Sequence, residues 1–359
     1  RNVRNVMHYS FGKGNIKILD DLLESKRSQK NSSVVFYVDH YFEKNGNLVN
    51  QLPIKSKDHI SFVDTTFEPT TTAVNQEVEL VRQNLINNPC ALVGVGGGST
   101  LDMAKAVSNL LTNEGKAEDY QGWDLVTKPS IYKIAIPTLS GTGAEATRTC
   151  VMTNKRTGLK LGMNSDHTVY DQVILDPDLT KTVPRDQYFW TGMDAYIHCI
   201  ESLAGYYNNA IGDSFSNQVL NICREVFLSE DMQSLENREK LMVASYLGGC
   251  AIASSYVGIV HPFSAGLSVV LGTHHCLSNC ITMRGMKEFY PKEYDEFWQM
   301  VDRQQVNIPE GLCRDLNENQ YDLLYNSTII HEKPLTNALG EEYSNILTNM
   351  KVKEIFKTM

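Results

Sequence analysis

The sequence predicts an α/β domain with a parallel nucleotide-binding sheet over residues 1–180, followed by an all-helical domain over residues 181–359. Two observations predict it. Strand-like and helix-like segments alternate through the first half, which argues for parallel strands with helices on the faces of the sheet. After ILDPDLT (174–180) the texture changes, and helical patterns run to Met359 with almost no strand alternation. A chain of 359 residues is long enough for two sizeable cores.

Each element has its own signature. VVFYVD (34–39) is a short apolar run, rich in β-branched and aromatic residues, and reads as a strand. TTTAVNQEVELVRQNLI (70–86) has helical spacing, CALVGVGGGS (90–99) is a strand entering a glycine turn, and TLDMAKAVSNLLT (100–112) is helical again. IYKIAIPT (131–138) is a further buried strand. In the second half, residues 184–205 open on Pro184 with acidic character and close on Gly205, as a helix should. Residues 238–260 are small and mostly apolar, which suits closely packed core helices. No internal repeat or low-complexity tract is visible.

Composition narrows the function classes. With 42% hydrophobic and 21% charged residues the protein reads as globular, and its net charge of −9 argues against a general nucleic-acid binder while leaving room for a small basic pocket. The eight cysteines are dispersed without a CxxC pair, so they are expected as buried thiols in a reducing cytoplasm. Cys276 and Cys280 lie four apart beside two histidines, but no second cysteine pair completes a structural zinc cluster. No apolar run approaches the roughly 18 residues of a membrane span, and no secretory h-region follows Arg1, so a cytoplasmic protein without membrane insertion is expected.

Two loops invite a nucleotide. In VGVGGGSTLDMAK (93–105) a strand leads through Gly94, Gly96, Gly97 and Gly98 into a helix, so backbone can approach a phosphate that the helix N-terminus would favour. Ser99 stands where the Rossmann fingerprint has Gly or Ala, no Walker lysine follows, and a merely tight turn is the alternative. PTLSGTGAEATR (137–148) offers the hydroxyls of Thr138, Ser140 and Thr142 after another strand. Asp39 ends a strand, where an acid either accepts from a ribose 2′-hydroxyl, favouring NAD over NADP, or is simply solvated.

GMDAYIHCIES (192–202) places Asp194 and His198 on one face of an apolar helix. VGIVHPFSAGLSVVLGTHHCLSNC (257–280) adds His261 and, fourteen residues on, His275. One carboxylate and three imidazoles are a set that Zn²⁺ or Fe²⁺ accepts. A single buried histidine would be unremarkable, but burying four such groups unpaired would be costly.

Through these motifs, together with FGKGNI (11–16), LDPDLT (175–180) and HHC (274–276), the chain resembles the iron-containing, or group III, alcohol dehydrogenases nearly end to end. The resemblance implies that Asp194, His198, His261 and His275 hold a catalytic divalent metal. It implies NAD on Asp39, Gly96, Gly97, Gly98, Ser99, Asp102, Thr138, Ser140, Thr142, Lys160 and Leu179. It also implies a homodimer acting on a small molecule. Many members carry a further histidine where this chain has Ala265, which leaves the proton route to His274 or solvent. The wording of residues 138–154, 186–202 and 255–276 resembles the branch that oxidises 3-deoxy-D-manno-octulosonate at C8 for lipopolysaccharide amino-sugar synthesis. On that reading Arg148, beside Thr149, would grip the sugar acid's carboxylate; the alternative is a structural ion pair. General alcohol or diol oxidation, a dehydroquinate-synthase-like lyase on the same scaffold and a silent nucleotide-binding protein are the competing readings.

Overall fold

The computed structural model describes residues 3–27, 32–85 and 89–359. They fall into two compact units, one of residues 3–139 and 144–181, the other of residues 140–143 and 182–359.

The first unit contains strands β1 (His8–Phe11), β2 (Val34–Asp39), β3 (His59–Val63), β4 (Ala91–Gly96), β5 (Gly122–Trp123), β6 (Lys133–Pro137), β7 (Thr149–Asn154), β8 (Leu159–Asn164) and β9 (Gln172–Leu175). Six of them form a parallel sheet in the order β1-β9-β6-β4-β2-β3. The helices of this unit are α1 (Leu19–Lys26), α2 (Tyr41–Lys44), α3 (Thr71–Asn84) and α4 (Gly98–Leu110). The central strands read as unbroken apolar runs because both faces are covered. Along β2, Val34, Phe36 and Val38 enter one core while Val35 and Tyr37 enter another, and β4 divides Ala91, Val93 and Val95 from Leu92 in the same way. Thr70 caps α3 by accepting from Ala73 N at 3.1 Å. The helix ends at Asn84, two residues before the expected limit at Ile86, which lies outside the described residues.

A second, three-stranded sheet orders β5-β8-β7, with β7 and β8 an antiparallel hairpin. The sequence reading had no strand here, although β7 alternates half-buried and buried residues at the period of a one-sided strand.

The second unit is helical: α5 (Arg185–Ala204), α6 (Ala210–Phe227), α7 (Leu235–Ser254), α8 (Val260–Leu271), α9 (His275–Thr282), α10 (Pro291–Gln304) and shorter helices to Lys357. Helix α5 starts directly after Pro184 and stops at Gly205, as expected from sequence. Every residue from Thr191 to Ser202 on it is buried, so it is the central helix of this core. The apolar stretch after Arg238 breaks at Ser255, whose hydroxyl bonds Ser202 Oγ at 2.7 Å, and a short loop carries the chain to α8. That break places His261 in the first turn of a new helix.

Candidate metal centre and cofactor loops

Helix α5 carries Asp194, His198 and Glu201 at i, i+4 and i+7, three polar side chains on one face of an otherwise apolar helix. Helix α8 brings His261, and α9 begins with His275. Asp194 is fully buried. Its Oδ1 lies 3.4 Å from His198 Nε2 and 3.3 Å from His261 Nε2, and its Oδ2 lies 3.5 Å from His275 Nε2. One ligand atom each from Asp194, His261 and His275 can be chosen within 4.8 Å of one another. The His198 and His261 rings stack with centroids 4.8 Å apart.

These spacings are longer than a good N–H···O bond. They match donors about 3.4 Å apart, the edge of a tetrahedron whose metal–nitrogen bonds are about 2.1 Å. Asp194, His261 and His275 therefore fit a divalent metal by donor chemistry and by spacing, while His198 lies outside that group and adjoins it at Asp194 Oδ1.

The charges are mutually dependent. Burial alone would raise the Asp194 carboxyl, but the His198, His275 and His261 imidazoles hold it well below the usual carboxylate range. Burial pushes His198 down to about 4, against the pull of Asp194, so its ring is neutral and able to offer a lone pair at neutral pH. Burial also opposes charge on His261, but the Glu201 and Asp194 carboxylates outweigh it and raise the imidazole to about 9.

Two contributors were not singled out from sequence. Glu201 bonds His261 Nδ1 through Oε2 and accepts from Val260 N through Oε1 at 2.5 Å, capping the start of α8. Asn279, one turn after His275, donates to Asp194 Oδ1 at 2.7 Å and stands 3.4 Å from both His261 Nε2 and His275 Nε2. The available signal was spacing: Glu201 follows His198 by three residues, and Asn279 follows His275 by four, each on a ligand-bearing helix. The Cys276 thiol is a weak third partner, 3.7 Å from Asp194 Oδ2. His274 is exposed at the N-cap of α9 and lies outside the group of converging ligand atoms.

The predicted cofactor residues divide into two sets, and the first lies in the α/β unit. Asp39, the glycine turn and Thr138 are neighbours at the C-terminal ends of β2, β4 and β6. A Cβ on Gly96 would come within 2.7 Å of the Thr100 side chain and 3.1 Å of Asp39 Cβ, one on Gly97 would lie 2.7 Å from Leu139 Cδ1, and Thr138 N donates to Gly96 O at 3.0 Å. Gly98 and Ser99 form the first turn of α4, with Gly97 as its N-cap. Asp102, one turn further, accepts from Val151 N at 2.9 Å through Oδ2, while its enclosed Oδ1 has no partner among the described residues. Burial pushes this carboxyl up to about 6.

The other predicted residues are committed elsewhere. Lys160 is buried and ion-paired with Glu68. Leu179 packs against the core on one face of the sheet. The glycines around Ser140 and Thr142 answer to helix packing: a Cβ on Gly141 would lie 1.6 Å from Thr191 O on α5, and one on Gly143 would lie 2.7 Å from the Gly249 backbone on α7. Ser140 Oγ is buried without a partner among the described residues, and Thr142 is half-buried. Arg148 donates from Nε to Asp166 Oδ1 at 3.0 Å and from Nη2 to Asp124, so its guanidinium is already held by two carboxylates. Thr149 offers its carbonyl to Lys105 Nζ at 2.8 Å.

A parallel α/β unit with a glycine turn, joined to a helical unit bearing one carboxylate and three imidazoles, defines a two-unit class in which nucleotide-type and metal-type sites occur in one chain. The chain belongs to the iron-containing alcohol dehydrogenase family: the family model described as "Iron-containing alcohol dehydrogenase" matches residues 7–177, and "Fe-containing alcohol dehydrogenase family, C-terminal" matches residues 189–322. Sulfoacetaldehyde reductase of Bilophila wadsworthia is 36% identical over 52% of this chain and 49% of its own length. NAD-dependent methanol dehydrogenase of Bacillus methanolicus is 32% identical over 60% of this chain and 56% of its own length. The chain thus spans about half the length of these curated relatives. A crystal structure of 1,3-propanediol oxidoreductase shares the fold, with a TM-score of 0.85 and 20% identity over 99% of this chain and 98% of that one.

Proposed function

We propose that this protein is a metal- and NAD-dependent dehydrogenase that oxidises a primary alcohol or diol to the aldehyde. The observation that carries the reading is the convergence of His198, His261 and His275 on the buried carboxylate of Asp194. These four residues would hold the metal, Fe²⁺ or Zn²⁺, since the donor set accepts both. When bound, the metal supplies Lewis acidity toward a hydroxyl oxygen and the nicotinamide supplies the hydride acceptor.

The chain's own residues do the rest. Asp194 contributes the negative charge that balances a cation, and Asn279 holds that carboxylate in place. The glycine turn, the free N–H groups at the start of α4 and Thr138 offer a site for a pyrophosphate. Asp39 supports NAD over NADP, because a 2′-phosphate would meet its carboxylate. That choice agrees with the NAD-dependence in the name of the Bacillus methanolicus relative. His274, exposed beside His275, offers proton exchange with solvent where Ala265 supplies no ionisable group.

General alcohol or diol oxidation is preferred over the C8 oxidation of 3-deoxy-D-manno-octulosonate, because Arg148 is taken by Asp124 and Asp166. The partner we propose is a second copy of the chain: β1 is an edge strand with Tyr9 and Phe11 exposed, and Met7 just before it is exposed too. A cytoplasmic setting is supported by the eight cysteines, none of which forms a disulfide among the described residues, and among those residues no helix is long and apolar enough to cross a membrane.

The test is an anaerobic assay at 340 nm with metal-loaded protein and NAD. Primary alcohols, diols and 3-deoxy-D-manno-octulosonate would be offered in parallel. Accumulating NADH with alcohols or diols supports the proposal. Reduction with the sugar acid alone would restore the lipopolysaccharide reading, and turnover without net NADH would favour a lyase.

A further inference from the structure

Glu201 is fully buried on α5, yet its carboxylate serves another helix. Oε1 accepts from Val260 N at 2.5 Å and lies 3.4 Å from His261 N, and Oε2 meets His261 Nδ1. Room for this side chain comes from Gly258, where a Cβ would lie 3.2 Å from Glu201 Cβ, 3.3 Å from its Cγ and 2.8 Å from Tyr290 Oη. Both oxygens of one carboxylate therefore act on adjacent residues of α8, one on the backbone and one on the ring.

We propose that Glu201 is a positioning residue that sets the tautomer and orientation of His261, a role that rests on the metal reading above. An ionised carboxylate only accepts hydrogen bonds, so the nitrogen facing it must carry the proton. That keeps the N–H on Nδ1, so Nε2, which lies 3.3 Å from Asp194 Oδ1, is the ring atom that would give up its proton to a metal. Because Oε1 also caps α8, the carboxylate is held against the helix that carries the ring, and the ring turns away only by giving up its Nδ1 bond to Oε2. A carboxylate–imidazole pair of this kind raises ligand basicity and metal affinity.

Glu201→Gln separates these roles. The amide has the shape of the carboxylate but carries one donor end and one acceptor end. It can accept from Val260 N only by pointing its NH₂ at Nδ1, which then must accept, moving the ring proton to Nε2. Zn²⁺ affinity would be measured by competition with a chelating dye for the parent, Glu201→Gln and His261→Ala, with metal-free thermal melts alongside. The expected result is a roughly 10–100-fold loss of affinity in Glu201→Gln, with a cooperative metal-free melt retained. Parent-like affinity in Glu201→Gln, with affinity lost in His261→Ala, overturns the role of Glu201 and leaves the metal site standing. Failure of the parent to bind stoichiometric Zn²⁺ overturns the metal reading and this proposal together. Should Glu201→Gln not fold, ¹⁵N-histidine NMR of the Zn²⁺-loaded parent decides: a protonated Nδ1 on His261 supports the assignment, and a protonated Nε2 overturns it.

Discussion

Replacing Asp102 by Asn should make the protein more stable, and the size of the gain can be worked from the structure. The carboxyl is enclosed at Oδ1, and its pKa is raised from 3.8 to about 6, chiefly by burial. Ionising it therefore costs the folded protein about 3 kcal/mol more than it costs the unfolded chain. The folded state binds the proton more tightly, so the contribution to stability is fully present below about pH 4 and is lost as pH rises through 6. At pH 7.5 the whole cost applies. Asparagine is neutral throughout and can keep the bond from Val151 N. Part of the gain is offset because the buried Lys105, whose ammonium also bonds Thr147 and Thr149, loses a nearby negative charge. The net expectation is a gain of about 1–3 kcal/mol at pH 7.5 that shrinks toward zero near pH 4. Urea unfolding of parent and variant at both pH values, followed by circular dichroism and fluorescence, measures it. Equal stability at pH 7.5, or a gain that does not change with pH, would refute the reasoning. A carboxylate that costs stability is expected to serve function, so NAD affinity should fall in the same variant.

Other substitutions probe other parts of the account. Gly141→Ala drives a Cβ to 1.6 Å from Thr191 O at φ +146° and should cost more than about 3 kcal/mol or abolish soluble expression. Gly158→Ala, at φ +71° with open space, should cost only about 1 kcal/mol in the same denaturation assay. Arg148→Met removes two ion pairs from a largely buried guanidinium and should lower stability by about 1–2 kcal/mol while leaving KM for simple alcohols unchanged. Asp39→Ser removes the charge that disfavours a 2′-phosphate and should improve kcat/KM with NADP relative to NAD by roughly tenfold, about 1.4 kcal/mol.

The central strands of the first unit were legible because β2, β4 and β6 are buried on both faces, and such strands announce themselves as apolar runs. The edge strand β1 was not read as one, since His8, Tyr9 and Phe11 are exposed and the run has no apolar continuity. The hairpin of β7 and β8 was passed over although its alternation is present in TCVMTN. In the site, Asp194 and His198 stood out because a carboxylate and an imidazole are rare neighbours on an apolar helix. Glu201 and Asn279 did not, because glutamate and asparagine are ordinary helix residues and their role depends on α8 and α9 arriving opposite them. Arg148 shows the converse. A residue type suited to carboxylates was read toward a substrate, and the structure gives it Asp124 and Asp166, neither of them predictable as its partner from spacing.

The central claim is that Asp194, His198, His261 and His275 hold a metal needed for alcohol oxidation, and an anaerobic metal titration tests it most directly. Chelator-stripped protein would receive increments of Fe²⁺ or Zn²⁺ while NAD reduction with a primary alcohol is followed at 340 nm. The account predicts activity that rises from background and levels at one metal per chain, with no rise in His275→Ala. Full activity in the stripped protein, or the same titration curve from His275→Ala, would contradict it.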